Sequence, residues 1–177
     1  MGWNSTITLV NGATLADLAR LGWRVTDETL DWEEATMSAH EGIAAWSQGD
    51  TLVLASGGPE LIESTDRLAA LGPVRAGMFS SVSDTYVWRM AGPDQQREWV
   101  WSADEQVLDE GEPHPEEAAL DSLDEDNLFH LLERVGGLRF DEQLEEARFV
   151  VVDADGAGAA PEPAPEPRKK GLRRWFG

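Results

Sequence analysis

The residue types that carry most enzyme chemistry are present in this chain but are not grouped for it. Its three histidines, His40, His114 and His130, fall in an acidic stretch, a proline-bounded turn and a helical segment. None stands at the His-x-His or His-Glu-x-x-His spacing that turns two imidazoles toward one metal ion. Cysteine is absent, which excludes disulfides and thiolate ligands. A serine nucleophile needs a positioned base, and Ser80-Ser81 sits in no Gly-x-Ser-x-Gly elbow; it reads as the end of a strand. With 34 acidic residues among 177, carboxylates meet by chance, and Asp84 with Glu98 is only the first choice for a glycosidase-like pair. Gly57-Gly58 ahead of a helix offers backbone amides to a phosphate, without the Lys or the Gly-x-Gly-x-x-Gly that completes such a loop. Asp153-Ala154-Asp155-Gly156 opens like a calcium loop but lacks the third acidic ligand and the bidentate Glu, so it reads as the start of a linker. No catalytic residue, metal ligand or cofactor is assigned, and an enzyme is not expected.

Two groups of residues suit binding better. Trp88, Trp99 and Trp101, with Glu98 beside them, alternate at a period of two on paired strands. Such a row either packs as the centre of a sheet core or forms a platform for a partner. The second group is Arg168, Lys169, Lys170, Leu172, Arg173, Arg174, Trp175 and Phe176. In a helix Leu172, Trp175 and Phe176 share one side with the basic residues flanking it, the pattern of a short interfacial anchor. Ten residues are too few for a stable isolated helix, so order there would come on binding. Each basic residue contributes on the order of 1 kcal/mol at an anionic leaflet.

Charge narrows the partners. Residues 1–152 hold nine Arg and no Lys against 30 acidic residues, a net of minus 21, whereas residues 153–177 hold five basic and four acidic residues. A body this negative repels nucleic acid and anionic lipid, so nucleic-acid binding is not expected and a basic protein partner is. No apolar run follows a basic start, and the strongest apolar run, residues 149–152, is far shorter than a membrane span. A cytoplasmic location is expected, with the inner face of the cell membrane open to the basic segment.

The scaffold that would position these residues reads as α+β. Residues 74–112 form a meander in which Tyr86, Trp88 and Met90 share one side of their strand and Arg97, Trp99 and Trp101 share one side of theirs. Ahead of it, residues 6–10 predict a strand and Thr14 caps a short helix ending at Gly22. A strand is expected over 23–26, then a loop or short helix over 27–41. Residues 43–46 and 51–55 make a hairpin around Gly49-Asp50, and a helix spans 59–71. After a strand at 106–110, Asp124 caps a helix with Leu128, Leu131, Leu132 and Val135 as its apolar stripe. An edge strand at 148–152 closes the fold. The expected architecture is a mostly antiparallel sheet of five to seven strands with two or three helices packed on one face. It spans 1–152 as an acidic domain, followed by an Ala/Gly/Pro-rich linker over 153–167 and a basic amphipathic segment over 168–177.

A strand running into Val-x-Gly, a helix closing on Leu-Gly, the central strand and turn TLVLASGG, a helix ending Leu-x-x-Leu-Gly, and a later Trp-bearing hairpin followed by Asp-Glu-Gly come in that order. This order resembles an uncharacterised family of actinobacterial domains of unknown function over residues 4–140. The resemblance implies a stand-alone cytosolic bacterial module and carries over no catalytic residues; residues 27–41 and the basic segment have no counterpart in it. The functional expectation is a non-enzymatic acidic interaction module, an inhibitor or immunity-like protein of a bacterial conflict system. The alternatives are a peripheral membrane adaptor held by the basic segment and an enzyme whose site is not recognisable from sequence.

Overall fold

A computed structural model describes residues 4–37 and 42–154. Nine strands form one open sheet: β1 (Asn4–Asn11), β2 (Arg24–Leu30), β3 (Ile43–Gln48), β4 (Thr51–Ser56), β5 (Val74–Ser80), β6 (Thr85–Ala91), β7 (Gln96–Ser102), β8 (Glu105–Gly111) and β9 (Phe149–Asp153). Their spatial order is β2-β9-β3-β4-β1-β5-β6-β7-β8, and every neighbouring pair is antiparallel. The sheet is therefore larger than the five to seven strands expected.

Helices cover both faces, which corrects the expectation of one. On one side, Ile7 and Leu9 of β1, Val53 of β4 and Trp88 of β6 pack under Leu128, Leu131 and Leu132. Those leucines belong to α4 (Glu125–Arg134), the longest helix; α1 (Trp32–Thr36) and α5 (Glu142–Glu145) extend the same layer through Ala35 and Leu144. On the other side, Val10, Leu52, Leu54 and Val74 meet Leu18 of the 3-10 helix Leu15–Leu21, Leu61 of α2 (Glu60–Glu63) and Leu68 of α3 (Thr65–Leu68). Each fully buried leucine contributes about 1.5–3 kcal/mol. Because β1 and β4 face helices on both sides, β4 is buried along its whole length and β1 over residues 5–10. Gly77 of β5 makes room for α4, since a Cβ there would lie 3.1 Å from Leu128 Cγ.

Four elements differ from expectation for identifiable reasons. The helix over 59–71 is two short helices: buried Thr65 turns its hydroxyl onto the Ile62 carbonyl at 2.9 Å, a side-chain bond that competes with the helical amide ladder. The strand at 23–26 runs on to Leu30 as the mostly exposed β2. Residues 27–41 thus hold the end of a strand and α1, with 38–41 outside the described residues. β9 is not an edge; it lies between β2 and β3 and reaches Asp153, where Arg24 ion-pairs with it. The true edges, β2 and β8, are rich in charged residues, and β8 carries a bulge where Val107 falls between the pairs Trp101–Gln106 and Val100–Leu108. Charge and bulges both blunt sheet edges against further strand addition.

One end of the sheet collects the N-terminus of β1, the β5–β6 and β7–β8 turns and the exit of β9, as the pairs Asn4–Ser80, Thr85–Ser102, Ser102–Glu105, Thr6–Ser56, Ile43–Ser56 and Ile43–Val152 establish. There Ala103 and Asp104 make a two-residue turn at φ 51° and 63°, the twist that a hairpin favours but that alanine adopts only with strain. Ala103→Asn relieves that strain, and the chain should gain about 0.5–1 kcal/mol in urea unfolding; an unchanged or lower midpoint would contradict the strained turn.

Candidate functional site

The tryptophan row divides into core and surface. Trp88 is fully buried and Trp99 is 5% exposed, so these two belong to the core rather than to a partner platform. Trp101 is half-buried, standing edge-on to Trp99 with ring centroids 6.4 Å apart. Glu98 points to the other face, opposite Arg89 on β6. Arg89 lies 4.0 Å from Glu98 and 3.0 Å from Asp66 of α3, in a cleft of about 210 Å³. Asp84 and Glu98 therefore do not meet as a carboxylate pair.

Beneath the row lies an ion-pair network that no residue spacing singles out. Arg97 Nε donates to Glu117 Oε2 at 2.7 Å, with both side chains almost wholly buried, at 2% and 3% exposure. Its Nη1 ion-pairs with Asp109 and donates to the Glu110 carbonyl at 3.1 Å. Trp88 Nε1 and the His114 amide both donate to Glu117 Oε1, at 3.2 and 3.0 Å. The guanidinium also sits 5.6 Å from the Trp99 ring centroid. Burial works against the charge of Arg97, and Asp109 and Glu117 more than offset it, so the guanidinium is held above its ordinary value. With each partner satisfied, this network fixes the loop after β8 against β6 and β7. Gly111, at φ 87° and opposite Arg97, allows the close approach: a Cβ there would lie 2.0 Å from the Gln96 carbonyl oxygen.

The other histidine contacts are local. His114 Nδ1 accepts from the Glu116 amide at 3.2 Å, and His130 Nε2 lies 3.5 Å from the Glu116 carboxylate; His40 is outside the described residues. Among the described residues no group of three or more His, Asp or Glu side chains is placed to hold a metal ion, and no helix is long and apolar enough to cross a membrane. Gly57-Gly58 borders a largely apolar recess of about 310 Å³ with Ser5 and Phe79; the Gly58 carbonyl accepts from Thr6 and Ser56. The basic residues of 168–177 lie outside the described residues.

What the fold does bring together is a pocket of about 280 Å³ at the turn-bearing end of the sheet. Tyr86 and Trp101, directly opposed on β6 and β7, form its aromatic walls. Asp84 from the β5–β6 turn, Asp104 from the β7–β8 turn and Asp124 from the start of α4 supply carboxylates, and none of the lining residues is basic. Local structure holds each acid in place. Asp84 and Asp104 occupy left-handed backbone at φ 48° and 63°, which Asp tolerates better than most residues. Asp124 caps α4, accepting from the Asn127 amide at 2.9 Å. The pocket's field is negative: the Tyr86 phenol is held above its ordinary value first by burial, then by the charge and hydrogen bond of Asp84, with Glu125 and Asp124 adding to it. Burial opposes charge of either sign, whereas the carboxylates oppose a phenolate and favour a cation. The Trp101 indole N–H is buried and has no acceptor among the described residues.

Comparison of the chain with protein-family models, with curated proteins and with solved structures returned no match.

The Arg97–Glu117 pair yields a direct test. Glu117→Ala strands a buried guanidinium and releases the Trp88 and His114 donors, so urea unfolding should register a loss of about 3–5 kcal/mol. Replacing both partners, Arg97→Met with Glu117→Leu, should cost clearly less than the single change. Equal losses would show that the network is not the unit described.

Proposed function

We propose that the chain is a non-enzymatic binding module whose acidic body receives a basic protein partner through the pocket between Tyr86 and Trp101. The observation that carries this reading is the joining of two aromatic walls to three carboxylates, with no basic residue on the lining. An Arg or Lys side chain suits such a place chemically: its aliphatic stem lies along the rings while its charged head meets the acids. A cation over an aromatic face is worth about 0.5–2 kcal/mol, and each hydrogen bond to a charged group about 1.5–3 kcal/mol. The net charge of the body would add long-range steering, which speeds encounter with a basic surface and weakens with salt.

The setting that fits is the bacterial cytoplasm, where an acidic inhibitor or immunity-like protein of a conflict system covers the basic surface of a toxin or nuclease. That is also the setting implied by the resemblance to actinobacterial domains. The alternation of Leu172, Trp175 and Phe176 with five cations supports a second reading, a peripheral adaptor held at an anionic membrane by that segment.

The test is calorimetric titration of the full chain with an oligo-arginine peptide. Binding should weaken at least tenfold between about 0.05 M and about 0.5 M salt, and by a similar factor, about 1.4 kcal/mol, in the variant Asp84→Asn, Asp104→Asn, Asp124→Asn. Asn keeps both the left-handed turns and the helix cap, so the fold is retained. Equal binding by the triple variant would sink the pocket as the receiving site.

A further inference from the structure

We infer that the pocket between Tyr86 and Trp101 docks the chain's own basic segment, residues 168–176, so that an external partner must displace it. The inference rests on the reading of this pocket as a cation site and adds the identity of one occupant. Three observations lead to it.

The first is where the described chain ends. β9 leaves the sheet at the same end as the β5–β6 and β7–β8 turns that carry Asp84 and Asp104, and Ala154 follows it there. β9 stands five strands from β6 and six from β7, about 24–29 Å at 4.8 Å per strand, and somewhat more along a twisted rim. The second is reach. Thirteen residues, 155–167, separate Ala154 from Arg168, and at about 3.1 Å per residue that Ala/Gly/Pro-rich spacer reaches at most about 40 Å. That reach exceeds the gap, so the tether can span it, without which a linker raises no local concentration.

The third is chemistry. The pocket presents Asp84, Asp104 and Asp124 beside two aromatic rings, with the Glu125 charge felt at Tyr86. The segment presents Arg168, Lys169, Lys170, Arg173 and Arg174 among Leu172, Trp175 and Phe176. Residues 1–152 contain no lysine and hold nine arginines against 30 acids, so the segment is the densest cationic stretch in the sequence. The buried indole N–H of Trp101, unpaired among the described residues, fits the same picture: it is a donor left for a main-chain carbonyl of the docked segment.

The absence of cysteine makes the test direct. A spin label on Gly171→Cys in the full chain should broaden the NMR signals of the Trp101 indole and of the Asp84 and Asp104 amides at low salt. The broadening should disappear at about 0.5 M salt and in the Asp84→Asn, Asp104→Asn, Asp124→Asn variant. Neutralising the segment (Arg168→Gln, Lys169→Gln, Lys170→Gln, Arg173→Gln, Arg174→Gln) should tighten oligo-arginine binding about tenfold, as expected when a millimolar effective concentration of a competitor is removed. Broadening that is absent from these signals, that centres on other residues, or that vanishes on dilution as for a second copy's segment would overturn the inference. So would capture of the segment by anionic phospholipid vesicles with no trace of docking when vesicles are left out. If oligo-arginine still binds the pocket in any of those cases, the proposed function stands and only the intramolecular occupant fails.

Discussion

Double-sided burial of the central strands is the constraint on which the rest of the molecule depends. β1 and β4 lie in the middle of a nine-stranded antiparallel sheet with helices above and below. Antiparallel sheets commonly leave one face wet and then read as apolar-polar alternation. Here neither face is free, so Ile7, Leu9 and Val10 on β1 and the whole of β4 are withdrawn from water. Some polar residues on these strands find a local acceptor, as Thr6 and Ser56 do on the Gly58 carbonyl, whereas the Ser5 and Thr8 hydroxyls are buried with no hydrogen-bond partner among the described residues. The covering pieces can be short because each has only to seal a few strands: α2, α3 and α5 are four residues each.

Outward from that centre the sheet becomes more polar, and its chemistry changes with position. On β6 and β7, Trp88 and Trp99 still belong to the interior, and the interior accepts one charged group, Arg97, because Glu117 and Asp109 answer it. A buried pair of this kind contributes less to net stability than to fixing a single arrangement. What it fixes is the loop after β8, which leads the chain back to α4 and so brings Asp124 over the Tyr86–Trp101 pair. The pocket is thus assembled from two hairpin turns and a helix start, three elements far apart in sequence that share one end of the sheet.

Reading the sequence recovered the elements whose signal is local. The alternation in β6 and β7, the hairpin turn at Gly49-Asp50 and the cap at Asp124 all lie where their residues place them. It missed what only tertiary structure decides. Of β2 only the start was legible, as the strand expected over 23–26; its charged remainder to Leu30 has no hydrophobic alternation and is held by pairing with β9. The continuous apolar run of β4 was compatible with burial on one face or two, and the second helical layer followed from the choice. Trp88, Trp99 and Trp101 share one face, and nothing in their spacing distinguishes the two that are buried from the one left at the rim. Asp84 stood out only as half of a pair with Glu98 and Asp124 only as a helix cap, and nothing in the sequence joined either to Asp104 until the turns converged. Glu117 was one more acid in an acidic turn that holds prolines at 113 and 115.

The position of β9 has a consequence for biosynthesis. β2 pairs with β9 alone, and β9 also completes the outer side of β3. During translation, residues 24–30 therefore have no strand partner until residues 149–153 have left the ribosome, and β3 stands meanwhile as an open margin of a half-built sheet. Closing that gap joins segments more than a hundred positions apart, a step that sequence separation makes slow. The acids of the RVTDETL segment then serve a second purpose: they keep the waiting strand from pairing with a neighbouring nascent chain.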